Sequence, residues 1–550
     1  MLTDKFLEES GDDVSNDFST LETLLLIWMG LRLRNLASLE DIEEEYPKWK
    51  NKACREFFEY SGTEFQKVKK SSQSKVKSAI KNGIAMTVSN IFSRLKDTDA
   101  QTSKKDMLNR SNKNLNKGIK DTQGEIKNLC NISRKCTNKQ FIKACDEAYS
   151  KIVAGNNADK AIESSIRKLS QKGIEVVGYT DHTTSMDTAV KRAVTSGVNQ
   201  TSLKFKMDNC KELGINIVKT SSHGGARPSH QEWQGKLFYL HTPVKGLQSF
   251  KRATGYGRVD GLGGANCRHS FYEVTDYEYK NNLVDTEEFD KNRNDDQYEL
   301  EQKQRYYERQ IRSWKKRKNI LDECGVDSTK EAKKIREWQD KRSQFIKDSN
   351  IHFKKEHGID NVLKKAYPRE KVVMAERSTE EALKILKKTS FNSDKKEFEM
   401  FSKILKSSIM PKSIEEYQNM KYTDIDRYKA IQLDVKNVNL QNEIIKTYNL
   451  SLREGQQGKH ILGHNNYIKG RSYISNATME EIQQCISTHA GKGIIQRTVN
   501  GNWNNKELII DENMEGYVID IDGNLILTHR FIIHYSKDKG THLVPTLRKE

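Results

Sequence analysis

The C-terminal part of the chain is rich in histidine, a residue that both accepts and donates protons near neutral pH. Six of the 13 histidines of the 550-residue sequence lie from residue 460 onward: His460, His464, His489, His529, His534 and His542. Paired imidazoles, with a lysine or arginine to neutralise phosphate charge, are the minimal set of groups for cleavage of RNA without a metal. The alternative is that these histidines merely line a solvated sheet face.

A predicted β-hairpin, FIIHYSKDKGTHLVP, fixes some of these histidines in space. If its DKG segment forms a three-residue turn, Ser536 lies opposite His542. Because side chains alternate across a strand, His534 should share the face of those two residues. The other face should carry core residues: Ile533, Tyr535 and Leu543.

Two pairs of metal-binding residue types stand four positions apart, a spacing that brings side chains together on a helix. His460 and His464 form one pair, and Cys485 and His489 form the other. Either pair would support a metal-dependent nuclease as an alternative.

A domain that only binds nucleic acid is a further alternative. The 12 basic and 11 acidic residues from 453 onward leave too little net charge for tight non-specific binding.

A second group of reactive residue types lies in the middle of the chain, in TSSHGGARPSHQEWQGKLF and GYGRVDGLGGANCRHSF. Its histidines and cysteine are His223, His230, Cys267 and His269. Imidazole and thiolate are zinc ligands, so a tetrahedral site is one interpretation, although no CxxC or HxxxH pair supports it. The favoured interpretation is a tightly turned scaffold built by glycines, Trp233 and two arginines, Arg227 and Arg268, that cap carbonyls or carboxylates.

Long helices are expected around the middle motifs, because the chain has only six prolines. Apolar stripes at helical spacing occur twice before residue 95: Leu21, Leu24, Leu25 and Trp28, then Ile80, Ile84, Val88 and Ile91. Residues 101–125 are polar and fit a helix or a flexible connection. Residues 287–350 are charged, with aromatic residues three to four apart, which predicts solvated antiparallel helices or a coiled coil.

Short strands are expected in two places. INIVKT and KLFYL are β-prone pieces of the middle region, whereas residues 366–452 have the pattern of connecting helices. Beyond residue 455, Asn-Gly and Asp-Gly turns separate six predicted strands: Gly493–Val499, Lys506–Ile510, Gly516–Ile521, Asn524–Thr528, Phe531–Ser536 and Thr541–Pro545.

Charge and hydropathy exclude some classes of protein. Mean hydropathy is −0.82, and the longest apolar run, LLLIWMGL, has eight residues against the roughly 20 that span a bilayer. We therefore expect no membrane insertion and no signal peptide. The net charge is 94 − 76 = +18, concentrated in residues 51–130, and favours a polyanionic partner. Eight scattered cysteines without a CxxC pair indicate synthesis in a reducing cytoplasm.

The middle motifs carry a resemblance to a known family. ARPSHQEWQGKLF and GLGGANCRHSF, separated by TGYG and preceded by AVKRAVTSGVNQT, resemble signature blocks of phage minor capsid proteins of the Mu F-like head morphogenesis class. A weaker similarity extends from about Leu21 to Gly358 and includes RYYERQIRSWKKRK and REWQDKRSQF. The resemblance implies a portal-associated protein inside the phage head, with portal and capsid proteins as partners and no enzyme activity in this part.

The last 100 residues resemble a different family, the polymorphic toxin type 50 domain, through GKHILGHNNY, GRSYI, WNNKELI and IHYSKDKGTHLVP. That family is a predicted ribonuclease of the barnase, EndoU, colicin and RelE-like fold group. The resemblance suggests these active-site residues: His460, Arg471, Glu507, His534, Ser536, Lys537 and His542. Similar toxins have Gly-Thr where this chain has Gly463 and His464.

Together these observations predict a multidomain chain. A mainly α N-terminal, capsid-associated region has a small α+β core and a long helical arm, and an α+β domain of ribonuclease fold follows. The expected divisions are a helical region 1–138, a minor capsid core 139–280, a charged arm 281–365, linker helices 366–452 and a toxin domain 453–550.

The predicted function is a phage minor capsid protein whose C-terminal toxin cleaves RNA through the ribose 2′-OH. A purely structural virion protein with a non-catalytic C-terminal binding module is the alternative. We expect RNA as substrate, an immunity protein as partner, and no metal or cofactor. The protein should reside in the virion and the bacterial cytoplasm, and its toxin should act in the cytoplasm of the target cell.

Overall fold

A computed structural model of the chain describes residues 2–39, 41–98, 102–177, 183–285, 290–364, 368–372, 378–498, 501–520 and 523–549. The chain forms two compact units, Met1–Ser390 and Phe391–Glu550. The described residues are mostly helical, with a strand-rich region near the C-terminus, as the sequence predicts. No helix within the described ranges has the length and apolar character that a membrane crossing requires.

The first unit is built mainly from long helices. Its helices are α1 (Asp4–Glu9), α2 (Asp12–Arg34), α3 (Ile42–Leu95), α4 (Lys104–Val153), α5 (Ala158–Lys172), α6 (Met186–Glu212), α7 (Pro228–Gln231), α8 (Phe250–Thr254), α9 (Asp276–Lys280), α10 (Lys291–Glu323) and α11 (Thr329–His357), with 3₁₀ turns at Asn35–Ser38 and Pro368–Glu370. Its strands are β1 (Glu175–Val177), β2 (Thr183–Ser185), β3 (Ile217–Thr220), β4 (Leu237–Tyr239), β5 (Gln248–Ser249) and β6 (Phe271–Val274). Helix α12 (Ser378–Ile404) crosses the division between the units.

Both predicted apolar stripes are buried, one on α2 and one on α3. Trp28, which is fully buried, packs against Phe57 and Phe141 with ring centroids 5.2 and 5.7 Å apart. The polar segment 101–125, for which a helix and a flexible connection were both open, lies in α4 from Lys104 onward, and the Ser103 side chain caps its first turn. Since α4 continues through residue 138, the predicted division there does not coincide with the end of an element.

The charged segment forms two antiparallel helices, α10 and α11, which confirms the prediction for 287–350. Tyr307 on α10 contacts both Trp338 and Phe345 on α11, with ring centroids 5.9 and 5.3 Å apart. One side of the pair is not solvated, because Arg312 and Lys316 form ion pairs with the fully buried Asp187 of α6. Those neighbouring cations hold the pKa of the Asp187 carboxyl below its usual range.

A four-stranded sheet of order β5-β4-β3-β6 forms the small α+β core of the first unit. It contains both β-prone pieces of the sequence, since INIVKT forms β3 and KLFYL forms β4. Its buried face joins the second stripe of α3 in one hydrophobic cluster that includes Val218, Phe238 and Phe271. The glycine-rich motifs lie in the connections of this sheet.

The second unit contains the connecting helices and a compact α+β region. After α12 its elements are α13 (Ile414–Thr423), α14 (Ile425–Thr447), α15 (Glu454–Gln457), a 3₁₀ turn (Gly458–His460), β7 (Tyr473–Ile474), α16 (Met479–His489), β8 (Ile494–Arg497), β9 (Trp503–Ile510), β10 (Gly516–Ile519), β11 (Leu525–Thr528), β12 (Arg530–His534) and β13 (His542–Pro545). The connecting helices have a core of their own around Tyr417 and Tyr428.

Two antiparallel sheets form the α+β region, one of order β13-β12-β9-β8 and one of order β11-β10-β7. All six predicted strands are present, although Val499 and Ile521, at two predicted strand ends, lie outside the described residues. The predicted core face of the hairpin is correct, since Ile533, Tyr535 and Leu543 are all buried. Helix α16 packs its apolar face, including Ile482 and Ile486, into the same cluster.

Candidate active site

Two histidines face each other at the ends of neighbouring strands. His534 is the last residue of β12, His542 is the first of β13, and the antiparallel register pairs them directly. Their ring centroids are 4.6 Å apart. The predicted sharing of one sheet face by these two side chains is therefore confirmed.

The turn between these strands is longer than predicted, so the predicted pairing of Ser536 with His542 is wrong. The backbone N–H of Tyr535 donates a hydrogen bond to the carbonyl of Asn505 on β9. The backbone N–H of Ser536 then donates to the Gly540 carbonyl across the turn. Gly540 has a φ of +86°, and a β-carbon there would collide with the Ser451 carbonyl oxygen. Ser536 and the exposed Lys537 consequently lie in the turn, beyond the histidine pair.

A third histidine joins the pair from another part of the chain. His460 ends the 3₁₀ turn after α15, and its ring stacks toward that of His542 with centroids 6.1 Å apart. Its Nδ1 lies 2.8 Å from the Ser472 carbonyl oxygen, which fixes the ring as an Nδ1–H donor with Nε2 free to accept a proton. The buried Gln457 fastens this turn to β13 through two hydrogen bonds with the Leu543 backbone, of 3.0 and 2.7 Å.

Burial keeps these imidazoles neutral at physiological pH. Burial is the largest cause, and together with the nearby positive charges and neighbouring histidines it lowers the pKa of His534 to about 4 and that of His542 to about 3. Burial also lowers the pKa of His460, although its hydrogen bond to the Ser472 carbonyl opposes the shift. All three rings are therefore proton acceptors in the free protein.

Several cations surround the three rings, and most of them were not among the predicted residues. Lys506 pairs with His534 across β9 and β12, and its charge acts on that ring. Lys459 lowers the pKa of both His460 and His542, and Arg453 acts on His542. The alternation of side chains in WNNKELI could have indicated Lys506 as a site residue, because it places Lys506 on the face of the strand opposite Glu507. The predicted Arg471 is exposed and acts electrostatically on His460.

Glu507 does not lie with the histidines. Its register partner is Ile533, so its side chain points to the core face of the sheet, where it is fully buried. Its carboxylate accepts hydrogen bonds from the N–H groups of Gly491 and Gly493, at 2.9 and 2.6 Å, and from the Tyr535 hydroxyl. This placement corrects the active-site role that the resemblance suggested for Glu507, because the sheet separates its carboxylate from the three imidazoles.

The two predicted metal-ligand pairs have different outcomes. His460 and His464 are not on a helix, and the Nδ1 of His464 accepts a hydrogen bond from the Asn466 N–H. Cys485 and His489 do share α16, and Asp511 joins them so that their ligand atoms all lie within 4.8 Å of one another. No spacing rule indicates this carboxylate, because Asp511 follows β9, 22 residues after His489 in the chain.

Comparisons with known proteins define the class of each part. The model of the family described as phage minor capsid protein 2 matches residues 2–347, which is more than half of the chain. The chain therefore belongs to the phage minor capsid protein 2 family. A second family model, described as bacterial toxin 50, matches residues 452–545 and includes the three histidines and their surrounding cations.

Curated relatives agree with the assignment of the first part. A protein named "structural protein" from Lactococcus phage LL-H is 29% identical over 180 residues, which are 31% of this chain and 47% of that protein. Another "structural protein", from Lactococcus phage mv4, is 33% identical over 121 residues, 22% of this chain and 86% of the relative. The chain thus spans about half the length of the first relative. No solved structure matches the chain.

Proposed function

We propose that the chain is a virion structural protein whose C-terminal domain is a metal-independent endoribonuclease toxin. The observation that carries the proposal is the convergence of His460, His534 and His542, with centroid separations of 4.6 and 6.1 Å, close enough to lysine and arginine side chains for their charges to act on the imidazoles. Neutral imidazoles that accept protons, next to cations that attract phosphate, are the groups that RNA transesterification requires.

The proposed reaction forms one bond and breaks one. One of the three imidazoles removes the proton of the ribose 2′-OH, and O2′ attacks the adjacent phosphorus. The bond from phosphorus to O5′ breaks, and a second imidazole, protonated after the anionic phosphate has raised its pKa, gives its proton to O5′. The products are a 2′,3′-cyclic phosphate and a 5′-hydroxyl. DNA lacks the nucleophile and is not a substrate.

Cations around the rings would stabilise charge on the phosphoryl oxygens. Lys506 is the first candidate, because it lies directly across the strands from His534. Arg471 and Lys459 flank His460 and serve the same purpose on the other side. Lys537 and Ser536, which lie in the turn, contribute to binding of the RNA chain rather than to proton transfer in this proposal.

The fold supports the same assignment. A four-stranded antiparallel sheet, β13-β12-β9-β8, with α16 packed on one face and the histidines on the other, is compatible with the barnase, EndoU, colicin and RelE-like group that the sequence predicts. We propose portal and capsid proteins as partners of the first unit, with storage inside the phage head. An immunity protein would protect the producing cell, and the toxin would act in the cytoplasm of its target.

Digestion of total RNA by the full chain in excess EDTA tests the proposal. His534→Ala and His542→Ala should each slow cleavage by roughly 10²- to 10⁴-fold, the usual loss for a general acid or base. His529→Ala is the matched control, because His529 lies before the opposite end of β12 and bonds to the Met514 carbonyl; it should cleave like wild type.

Three outcomes would contradict the mechanism. Full activity in both variants would remove the histidine pair from the chemistry. Activity abolished by EDTA, and by Cys485→Ser, would assign it to a metal at the Cys485, His489 and Asp511 cluster. Absence of RNA cleavage under all conditions would favour the binding-module alternative.

A further inference from the structure

The first unit contains a compact group of metal-ligating side chains next to its small sheet. His230, Cys267 and His269 are 2%, 6% and 1% exposed, and their ligand atoms all lie within 4.8 Å of one another. They come from the two glycine-rich connections that carry the minor capsid motifs. The sequence brings together no close pair except Cys267 and His269, so only the fold assembles the set.

Both imidazoles are oriented as metal ligands. His230 Nε2 lies 2.8 Å from the Asp260 carbonyl oxygen, and His269 Nε2 lies 2.9 Å from Gln234 Oε1. Each Nε2–H therefore donates to an oxygen, which leaves the Nδ1 lone pairs free. Those Nδ1 atoms point at the same sulfur, at 3.9 and 3.6 Å from Cys267 Sγ.

The distances fit the edges of a tetrahedral zinc site. With Zn–S near 2.3 Å and Zn–N near 2.0–2.1 Å, a sulfur and a nitrogen at the tetrahedral angle are about 3.6 Å apart. The two observed S···N separations, 3.9 and 3.6 Å, lie close to that value.

A fourth ligand is available beside the cluster. The ring of His223 stacks on that of His269 with centroids 4.3 Å apart. Its Nδ1 lies 3.1 Å from the Gly224 carbonyl oxygen, while its Nε2 is buried and has no hydrogen-bond partner among the described residues. An orphaned imidazole nitrogen at the edge of such a set needs a proton donor or a metal to satisfy it.

We propose that Cys267, His230 and His269 bind a Zn²⁺ ion, and that a small rotation of His223 completes a tetrahedral site. Thiolate and imidazole are the donors that zinc selects, whereas calcium and magnesium require oxygen. Binding converts the Cys267 thiol to a thiolate and releases its proton. Four protein ligands close the site to substrate, so the ion is structural.

The ion would lock two loops that have little regular structure of their own. His223 and His230 belong to the connection between β3 and β4, and Cys267 and His269 to the one before β6. Closing both connections on one ion restrains the β4-β3-β6 part of the sheet. This proposal replaces the interpretation that the sequence favoured. The two loops form a scaffold held by a metal ion, and not by glycines and arginines alone.

Zinc content of the purified full chain, measured by plasma emission spectrometry, tests the site. The Cys267→Ser variant should contain about one equivalent of zinc less than the wild type, as expected for a closed single-ion site. Cys485→Ser is the matched control, because Cys485 is also buried and lies in the other candidate cluster; it should keep that equivalent. Unchanged zinc in Cys267→Ser would overturn the proposal.

Cobalt substitution of the wild-type chain keeps the proposal testable if Cys267→Ser does not fold. The cobalt form should show intense tetrahedral d–d bands and a thiolate-to-cobalt charge-transfer band, which Cys485→Ser should retain. Octahedral spectra without the charge-transfer band would contradict a thiolate site. His223→Ala should weaken the affinity for zinc at least tenfold; an affinity equal to wild type would remove His223 from the ligand set.

Discussion

His542 is the central ring of the candidate site, since it lies between His534 and His460, and its pKa of about 3 is below the value of about 4 for His534. Two effects act in the same direction on it: burial disfavours a charged ring, and the surrounding cations repel one. An anionic phosphate in the site would reverse the second effect. The free protein therefore holds bases, and the substrate itself creates the acid.

The proposed mechanism makes the pH dependence of kcat/KM unusual for a histidine enzyme. Because kcat/KM reports the pKa values of the free enzyme, its rise with pH should have a midpoint below 6.5, the ordinary histidine value. The pKa values of about 4 for His534 and about 3 for His542 set this direction, and the lowered pKa of His460 agrees with it. Initial rates on a short RNA between pH 4 and 8 would measure the midpoint.

Stability must be followed in the same samples. A ring with a lowered pKa binds fewer protons in the folded state than in the unfolded state, so the unfolding free energy declines as pH falls from about 6.5 toward 4. Circular dichroism at each pH separates this loss from titration of the base. A midpoint at or above 6.5 in fully folded protein would contradict the assignment of these histidines as the base.

At the scale of elements, the site depends on the attachment of the α15 turn to β13. Gln457 is fully buried and makes both of its amide hydrogen bonds to the Leu543 backbone, next to His542. The turn that follows it carries Lys459 and His460. Gln457 is thus a positioning residue, which holds one part of the site in register with the other.

Replacement of Gln457 by alanine should lower kcat/KM by roughly 10- to 100-fold, because small misplacements of reacting groups cost about that much. A released turn also exposes His542 to water, so the midpoint of the pH profile should move up toward 6.5. Gln496→Ala, on β8, is the control and should change neither quantity. A rate loss in Gln457→Ala with an unmoved midpoint would indicate a general loss of folded protein instead.

Sequence patterns predicted the strands and the core face of the hairpin but not its register. Alternation fixes which face a side chain occupies, and the faces of His534, His542 and Ile533 were all predicted correctly. The length of the turn depends on contacts with Ser451 and Asn505, which are distant in sequence. The predicted register was therefore wrong by two positions, because the partner of His542 is His534 and not Ser536.

The same limit applies to sites assembled across the chain. Residue types alone suggested a zinc site at four middle residues, but the orientation of each imidazole depends on Asp260 and Gln234, which no spacing rule connects to them. Glu507 shows the converse. The family resemblance suggested an active-site role for it, whereas strand alternation directs its side chain to the core, where the Tyr535 hydroxyl donates a hydrogen bond to it.

At the scale of the whole molecule, the two proposals assign different metal requirements to the two units. The first unit, Met1–Ser390, holds the proposed zinc ion, and the second, Phe391–Glu550, holds the proposed ribonuclease site, which needs none. A ligand that binds only the folded state stabilises it, so removal of the ion should destabilise the first unit alone. Chelation can therefore separate the two functions in one intact chain.

Excess EDTA, applied with heating until zinc is released, should lower the temperature of a thermal unfolding transition of the full chain and leave RNA cleavage at 25 °C within twofold of the untreated rate. Differential scanning calorimetry and RNA digestion of the same sample measure the two effects. Cys267→Ser should start at the lower temperature and show no further shift with EDTA. An unshifted transition in wild type would count against the zinc clamp. A shifted transition with lost cleavage would count against the metal-free ribonuclease, because the cluster of Cys485, His489 and Asp511 would then be the remaining metal site.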